Sequence, residues 1–132
     1  MENLDTSKIE EYEDKAVLGY HYFNGLRRPC NGGIFVSEDK ELYEYTVFFN
    51  DYDKGNSYFR KVKKLRKIEY MQVLALIKWR IGKKDFKIMQ GTDGGSTVIV
   101  NYKDIKRKIE FSRELSQEVY KLLNGFIKEA NH

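Results

Sequence analysis

A chain with one cysteine, one proline and two histidines is poor in the residues on which several protein classes depend. A lone thiol, Cys30, forms no intramolecular disulfide and suits a reducing compartment. The lone Pro29, with no stretch rich in Ser, Gly or Pro, leaves no linker at which to divide the chain. Zinc sites draw several Cys and His at short spacings, and one Cys with one internal His falls short of that, so no metal is expected. No apolar run approaches the ~18 residues of a membrane span. The opening Met1-Glu2-Asn3-Leu4-Asp5 is acidic and polar where a secretory signal is basic and then apolar. These absences predict a cytoplasmic protein with no membrane attachment and no cofactor.

What is present is enough for a core. Ten Tyr and eight Phe stand among 41% hydrophobic residues, a content that disordered chains lack. The 132 residues fit one domain without a metal or disulfide staple. Residues 1–14, with six acids against one Lys, read as a loosely docked acidic arm, and residues 15–132 as a single α+β domain. Within the arm, Ser7-Lys8-Ile9-Glu10 has capping-box spacing for one helical turn.

Ala16 to Phe23 is rich in aromatic and branched residues and predicts a strand. Asn31-Gly32-Gly33 reads as a turn before a second strand at Ile34-Phe35-Val36. From Leu42 to Phe49 apolar groups fall on both faces, which predicts a central strand covered on both sides. Tyr58 to Leu65 reads as a basic edge strand, with a longer helix as the competing assignment. Lys67 to Ile81 carries Tyr70, Val73, Leu74, Ile77 and Ile81 on one helical stripe, and Gly82 stands where the helix ends. A short extended piece at Phe86 to Met89 and a turn at Gly91 to Gly95 precede strands at Thr97 to Tyr102 and Ile105 to Phe111. A helix from Gln117 to Ala130, capped by Ser116, closes the chain with Val119, Leu122, Leu123, Phe126 and Ala130 on its apolar face. The predicted order is β-β-β-β-α-β-β-α: one twisted, mostly antiparallel sheet of about six strands with two helices packed on one face.

Catalytic signatures are sparse. His21 in an aromatic strand and Cys30 in a later loop admit a Cys–His pair, but match no nucleophile motif. Asp51-Tyr52-Asp53-Lys54-Gly55 fails as a calcium loop: glycine comes one place early and Val62 stands where the bidentate Glu belongs. The Gly91 to Thr97 segment leads into a strand, whereas a phosphate loop leads into a helix, so it reads as a hairpin turn. Carboxylates fall mostly in the arm and loops, where solvent limits their catalytic use.

Two surfaces remain. Residues 57–88 carry a local balance of +9, within which Arg60, Lys61, Lys63, Lys64, Arg66 and Lys67 form a run suited to steering an anionic partner. Leu76 and Trp79 fall opposite the apolar stripe of their helix, and Trp favours interface hot spots. The leading expectation is therefore a non-enzymatic protein-binding module: an inhibitor, immunity or adaptor protein, or a self-associating subunit. Trp79 and Leu76 would be its anchors and the basic run its steering surface. The next reading is a nucleic-acid-associated protein that adds Tyr20, Tyr22, Tyr43, Tyr45 and Tyr58 as a stacking face. A small enzyme with carboxylate chemistry is third. High Lys, Ile, Asn and Tyr content suits an AT-rich bacterial or phage genome.

Overall fold

The computed structural model describes residues 2–25, 28–82, 94–110 and 112–131. Six long strands and one two-residue strand form a single open antiparallel sheet in the order β1-β5-β4-β3-β2-β6-β7. They are β1 (Glu2–Asn3), β2 (Leu18–Asn24), β3 (Cys30–Val36), β4 (Glu41–Phe48), β5 (Tyr58–Lys64), β6 (Gly94–Tyr102) and β7 (Ile105–Glu110). Helix α1 (Ile9–Glu13) lies in the arm, α2 (Lys67–Leu76) runs on into a π turn at Ile77–Ile81, and α3 (Arg113–Ala130) closes the chain. The α+β class and the order of the long elements are as the sequence predicts. The piece expected at Phe86 to Met89 and most of the Gly91 to Gly95 turn lie outside the described residues.

Alternation along the strands divides the core in two. One face presents Leu18, Ile34, Val36, Leu42, Val98, Val100 and Ile109 to α2 and α3, whose Val73, Ile77, Ile81, Leu115, Val119, Leu123 and Phe126 complete the larger core. The other face presents Phe35, Tyr43, Tyr45 and Phe59, covered by Ile9, Ala16 and Leu4. Strand β4 lies between β3 and β5 and supplies Leu42 to one core and Tyr43 and Tyr45 to the other. Its two-sided apolar pattern has that cause.

The arm is tied to this second face. Glu2 and Asn3 pair with Lys61 and Arg60, and the Leu4 amide donates to the Phe59 carbonyl at 2.6 Å. Tyr12 packs against Tyr43 and Phe59, with ring centroids 5.5 and 5.4 Å apart. The first turn is capped by Asp5, whose Oδ1 accepts from the Ser7 amide at 3.0 Å. Ser7 is therefore not the cap that its spacing suggested.

Two other local readings change. Asn31-Gly32-Gly33 is not a turn but lies inside β3, with Gly32 opposite Tyr22 and Gly33 opposite Tyr45 and His21. The chain reverses between Asn24 and Cys30 instead. Helix α3 begins at Arg113 after Ser112, a turn earlier than expected. Ser116 lies inside the helix, and its hydroxyl is 2.7 Å from that of Ser96 on β6.

Residues 58–64 form a strand. A register shift opposite Leu42 and Tyr43 sets Lys63 across from Leu42 and Lys61 across from Tyr43. Such a bulge re-aims the side chains beyond it. It turns Lys63 toward the helices, where its ammonium meets Glu69 at 2.7 Å and lies 5.9 Å from the centre of the Phe126 ring.

Candidate functional site

Helix α2 is apolar on two opposite sides. Val73, Ile77 and Ile81 are fully buried, and Tyr70 and Leu74 pack partly against the same core. On the far side Ile68 is 62% exposed, Met71 57% and Trp79 73%. With exposed Ala75, these residues follow one another at intervals of three or four, so they form a line on one helix face. The π turn supports this arrangement: the Gly82 amide donates to the Ile77 carbonyl at 2.8 Å, and the widened turn keeps Ile77 and Ile81 both inward. Leu76 does not belong to the line. It is half-buried against the core, and Ile68 and Met71 accompany Trp79 instead. Beside Trp79 is a recess of about 340 Å³, lined among the described residues by Lys78, Trp79, Gly82 and Ile105.

The basic run lies next to the start of this helix, but most of its charge is matched within the chain. Arg60 pairs with Glu44 on β4, and Lys61 with Glu41 at 2.9 Å. Lys63 and Arg66 converge on the buried Glu69 at 2.7 and 3.2 Å. Burial alone would raise the Glu69 pKa, yet hydrogen bonds from Lys63 and from the backbone and side chain of Arg66 outweigh it and hold the carboxyl at about 2. Lys64 and Lys67 are exposed and make no ion pair among the described residues. Four of the six candidate steering residues are thus engaged within the chain, two between β5 and β4 and two at the start of α2.

The five tyrosines proposed as a stacking face are divided between the two sides of the sheet. Tyr43 and Tyr45 are buried under the arm. Tyr20 packs toward the helical core and meets the Tyr120 ring with centroids 5.4 Å apart. Tyr22 lies beside Tyr20 on that side, with ring centroids 6.0 Å apart, so the five share no single face.

A second location was not foreseen. Glu13, expected from its acidic neighbours to be a solvated carboxylate, is buried, and it accepts a short hydrogen bond from the Tyr45 hydroxyl. The Nδ1 of His21 is 2.6 Å from the same hydroxyl and 3.5 Å from the Glu13 carboxylate. A phenol has one proton, and that of Tyr45 is directed at Glu13, so Nδ1 must be the donor in the second bond. Burial, and then the Glu13 charge beside it, push the Tyr45 pKa far up, and the phenol stays protonated. The three residues form one side of a cleft of about 570 Å³ between the arm and β6–β7, with Ile9, Thr97 and Lys108 among its other walls. No local motif announces this cluster: its members come from the arm, β2 and β4, and only the sheet register brings them together.

This arrangement fixes an imidazole and seats the arm. Cys30 is not its partner. It pairs with Asn24 whereas His21 pairs with Gly33, so the two side chains project from opposite faces of the sheet. Burial raises the Cys30 pKa, which favours the inert thiol. No group of three His, Cys, Asp or Glu that could hold a metal occurs among the described residues, and no helix among them is long and apolar enough to cross a membrane. Tyr45→Phe should leave Glu13 and His21 without their shared partner and cost about 1–3 kcal/mol. Urea denaturation checks this, and an unchanged midpoint would mean that the hydroxyl contributes nothing to arm docking.

No protein-family model matches the chain, and neither a curated protein nor a solved structure matches it.

Proposed function

We propose that the protein is a non-enzymatic protein-binding module that works in the cytoplasm. The supporting observation is the outward line of α2, where three large apolar side chains are each more than half exposed while the opposite side of the helix is spent on the core. Scattered exposed apolar residues are ordinary; a contiguous patch containing a Trp is the kind of surface a partner covers. Inhibitor, immunity, adaptor and self-associating roles all use such a face. The nucleic-acid reading has less support, because Arg60, Lys61, Lys63 and Arg66 are engaged with carboxylates of the chain itself.

The test compares the wild type with an Ile68→Ser/Met71→Ser/Trp79→Ser variant as bait in extracts of the organism that encodes the protein. Because all three residues are exposed, the variant should keep its circular dichroism spectrum and thermal midpoint and lose the captured protein. Equal capture by both proteins would place the binding surface elsewhere.

A further inference from the structure

The partner's chemistry can be inferred from the charges that border this face, an inference that rests on the binding-module reading. Between Arg66 and Gly82 the chain carries a single acid, Glu69, and it is 2% exposed and already engaged by Lys63 and Arg66. The exposed surface of α2 therefore presents no carboxylate. Lys67 and Lys78 fall on the same rim of the apolar line, near opposite ends of it, and Lys64 stands just before the helix begins. None of the three makes an ion pair among the described residues, although Lys78 lies 5.7 Å from the centre of the Tyr102 ring. Arg80, by contrast, is held by Glu114 and Glu118 of α3. Arg66 at the start of the helix is likewise held, by Glu69 and Glu129, so among the described residues of this segment the cations left without an acid are those beside the apolar line.

The shape fits a helix. The line from Ile68 to Trp79 carries about one apolar group per turn over roughly 16 Å, the spacing at which the ridge of a second helix interdigitates. Its far end opens on the recess whose described walls are Lys78, Trp79, Gly82 and Ile105, where an apolar side chain of the partner would lie beside an ammonium group. We infer that the occupant is an amphipathic helix of another protein, with aliphatic residues at i, i+3, i+4 and i+7 and carboxylates along its flank.

Trp79 is the only tryptophan in the chain, so its emission reports on this surface alone. The probe is a stapled amphipathic peptide with Leu at the four apolar positions and Glu elsewhere, compared with a peptide carrying Lys at every Glu position. The acidic peptide should move the Trp79 emission to shorter wavelength and saturate, whereas the basic one should not. Lys67→Glu/Lys78→Glu should weaken the acidic peptide roughly tenfold and create a response to the basic one. Equal responses to both peptides in the wild type would overturn the acidic partner and leave a non-selective binding face. If neither peptide binds, sedimentation of the protein alone separates the remaining outcomes. A dimer that Ile68→Asp dissolves would show that a second copy covers the face, overturning the acidic helix and keeping the binding module. A monomer that binds neither peptide would overturn the acidic helix and remove the support for docking at α2.

Discussion

Glu69→Leu should destabilise the protein by about 3 kcal/mol, the low end of the range for a broken buried ion pair, because the surviving Lys63 keeps some access to water. The carboxylate at this position does three things at once. It accepts from Lys63 on β5, it accepts from the Arg66 amide at the start of α2 at 2.9 Å, and it meets the Arg66 side chain. The contact with the Arg66 amide is the reach-back half of a capping box, which satisfies a donor that the helix itself leaves orphaned. Removing the carboxylate strands an ammonium and a backbone N–H together, so the cost exceeds that of either bond alone. Glu69→Gln, which keeps an acceptor for the amide, should cost less, about 1–2 kcal/mol. The two variants separate charge from hydrogen bonding, and equilibrium urea denaturation reads both.

The same residue sets a pH dependence whose direction follows from its depressed pKa. Folding lowers the Glu69 pKa from 4.5 to about 2, so between those values the unfolded chain binds a proton that the folded chain refuses. Stability from this group is complete above about pH 4.5 and declines as the pH falls through that window toward 2. The advantage of the wild type over Glu69→Gln should therefore shrink on acidification across this range. A difference that stays constant from neutral pH to pH 2 would mean that the carboxylate is not ionised in the fold.

What could be read in the sequence was whatever depends on one element meeting its own layer. The two-sided apolar pattern of β4, the stripe of α3 and the double apolar character of α2 are all local periodicities, and each reflects a surface the element covers. The outward position of Trp79 was visible for the same reason. Leu76 falls opposite the stripe by angle yet packs against the core, because angular position alone cannot tell a flank from an exposed face. The ion pairs of the basic run are not legible in the sequence because its partners are remote: Arg60 meets Glu44 and Lys61 meets Glu41 only after β4 and β5 pair, and Lys63 reaches Glu69 only because of the bulge. Glu13 was unreadable on its own. An acid among acids is assigned to solvent unless something shows that a buried phenol 32 residues away will receive it.

Gly33→Ala should cost about 2–3 kcal/mol, while Gly32→Ala next to it should cost well under that, although the two residues look alike in sequence. Both lie in extended backbone where alanine is conformationally acceptable, so glycine is required, where it is required, by the approach of neighbours. A methyl group on Gly33 would stand 2.6 Å from Cε1 of Tyr45 and 2.8 Å from the backbone oxygen of Tyr20. Neither neighbour can yield cheaply. The ring is buried and its hydroxyl is bonded to Glu13 and His21, and the carbonyl belongs to a strand paired on both sides. On Gly32 the atoms nearest the methyl all belong to the outer end of the half-buried Tyr22 ring, which can swing away. A double-mutant cycle with Tyr45→Ala makes the test specific, because truncating the ring removes one of the two obstacles and should recover part of the Gly33→Ala cost. Additive costs would show that the Tyr20 carbonyl alone excludes the methyl. A coupling of about 1 kcal/mol or more would show that Gly33 is the space in which the ring of Tyr45 lies, and hence that a glycine resembling a turn in sequence helps to position the hydroxyl that seats the arm.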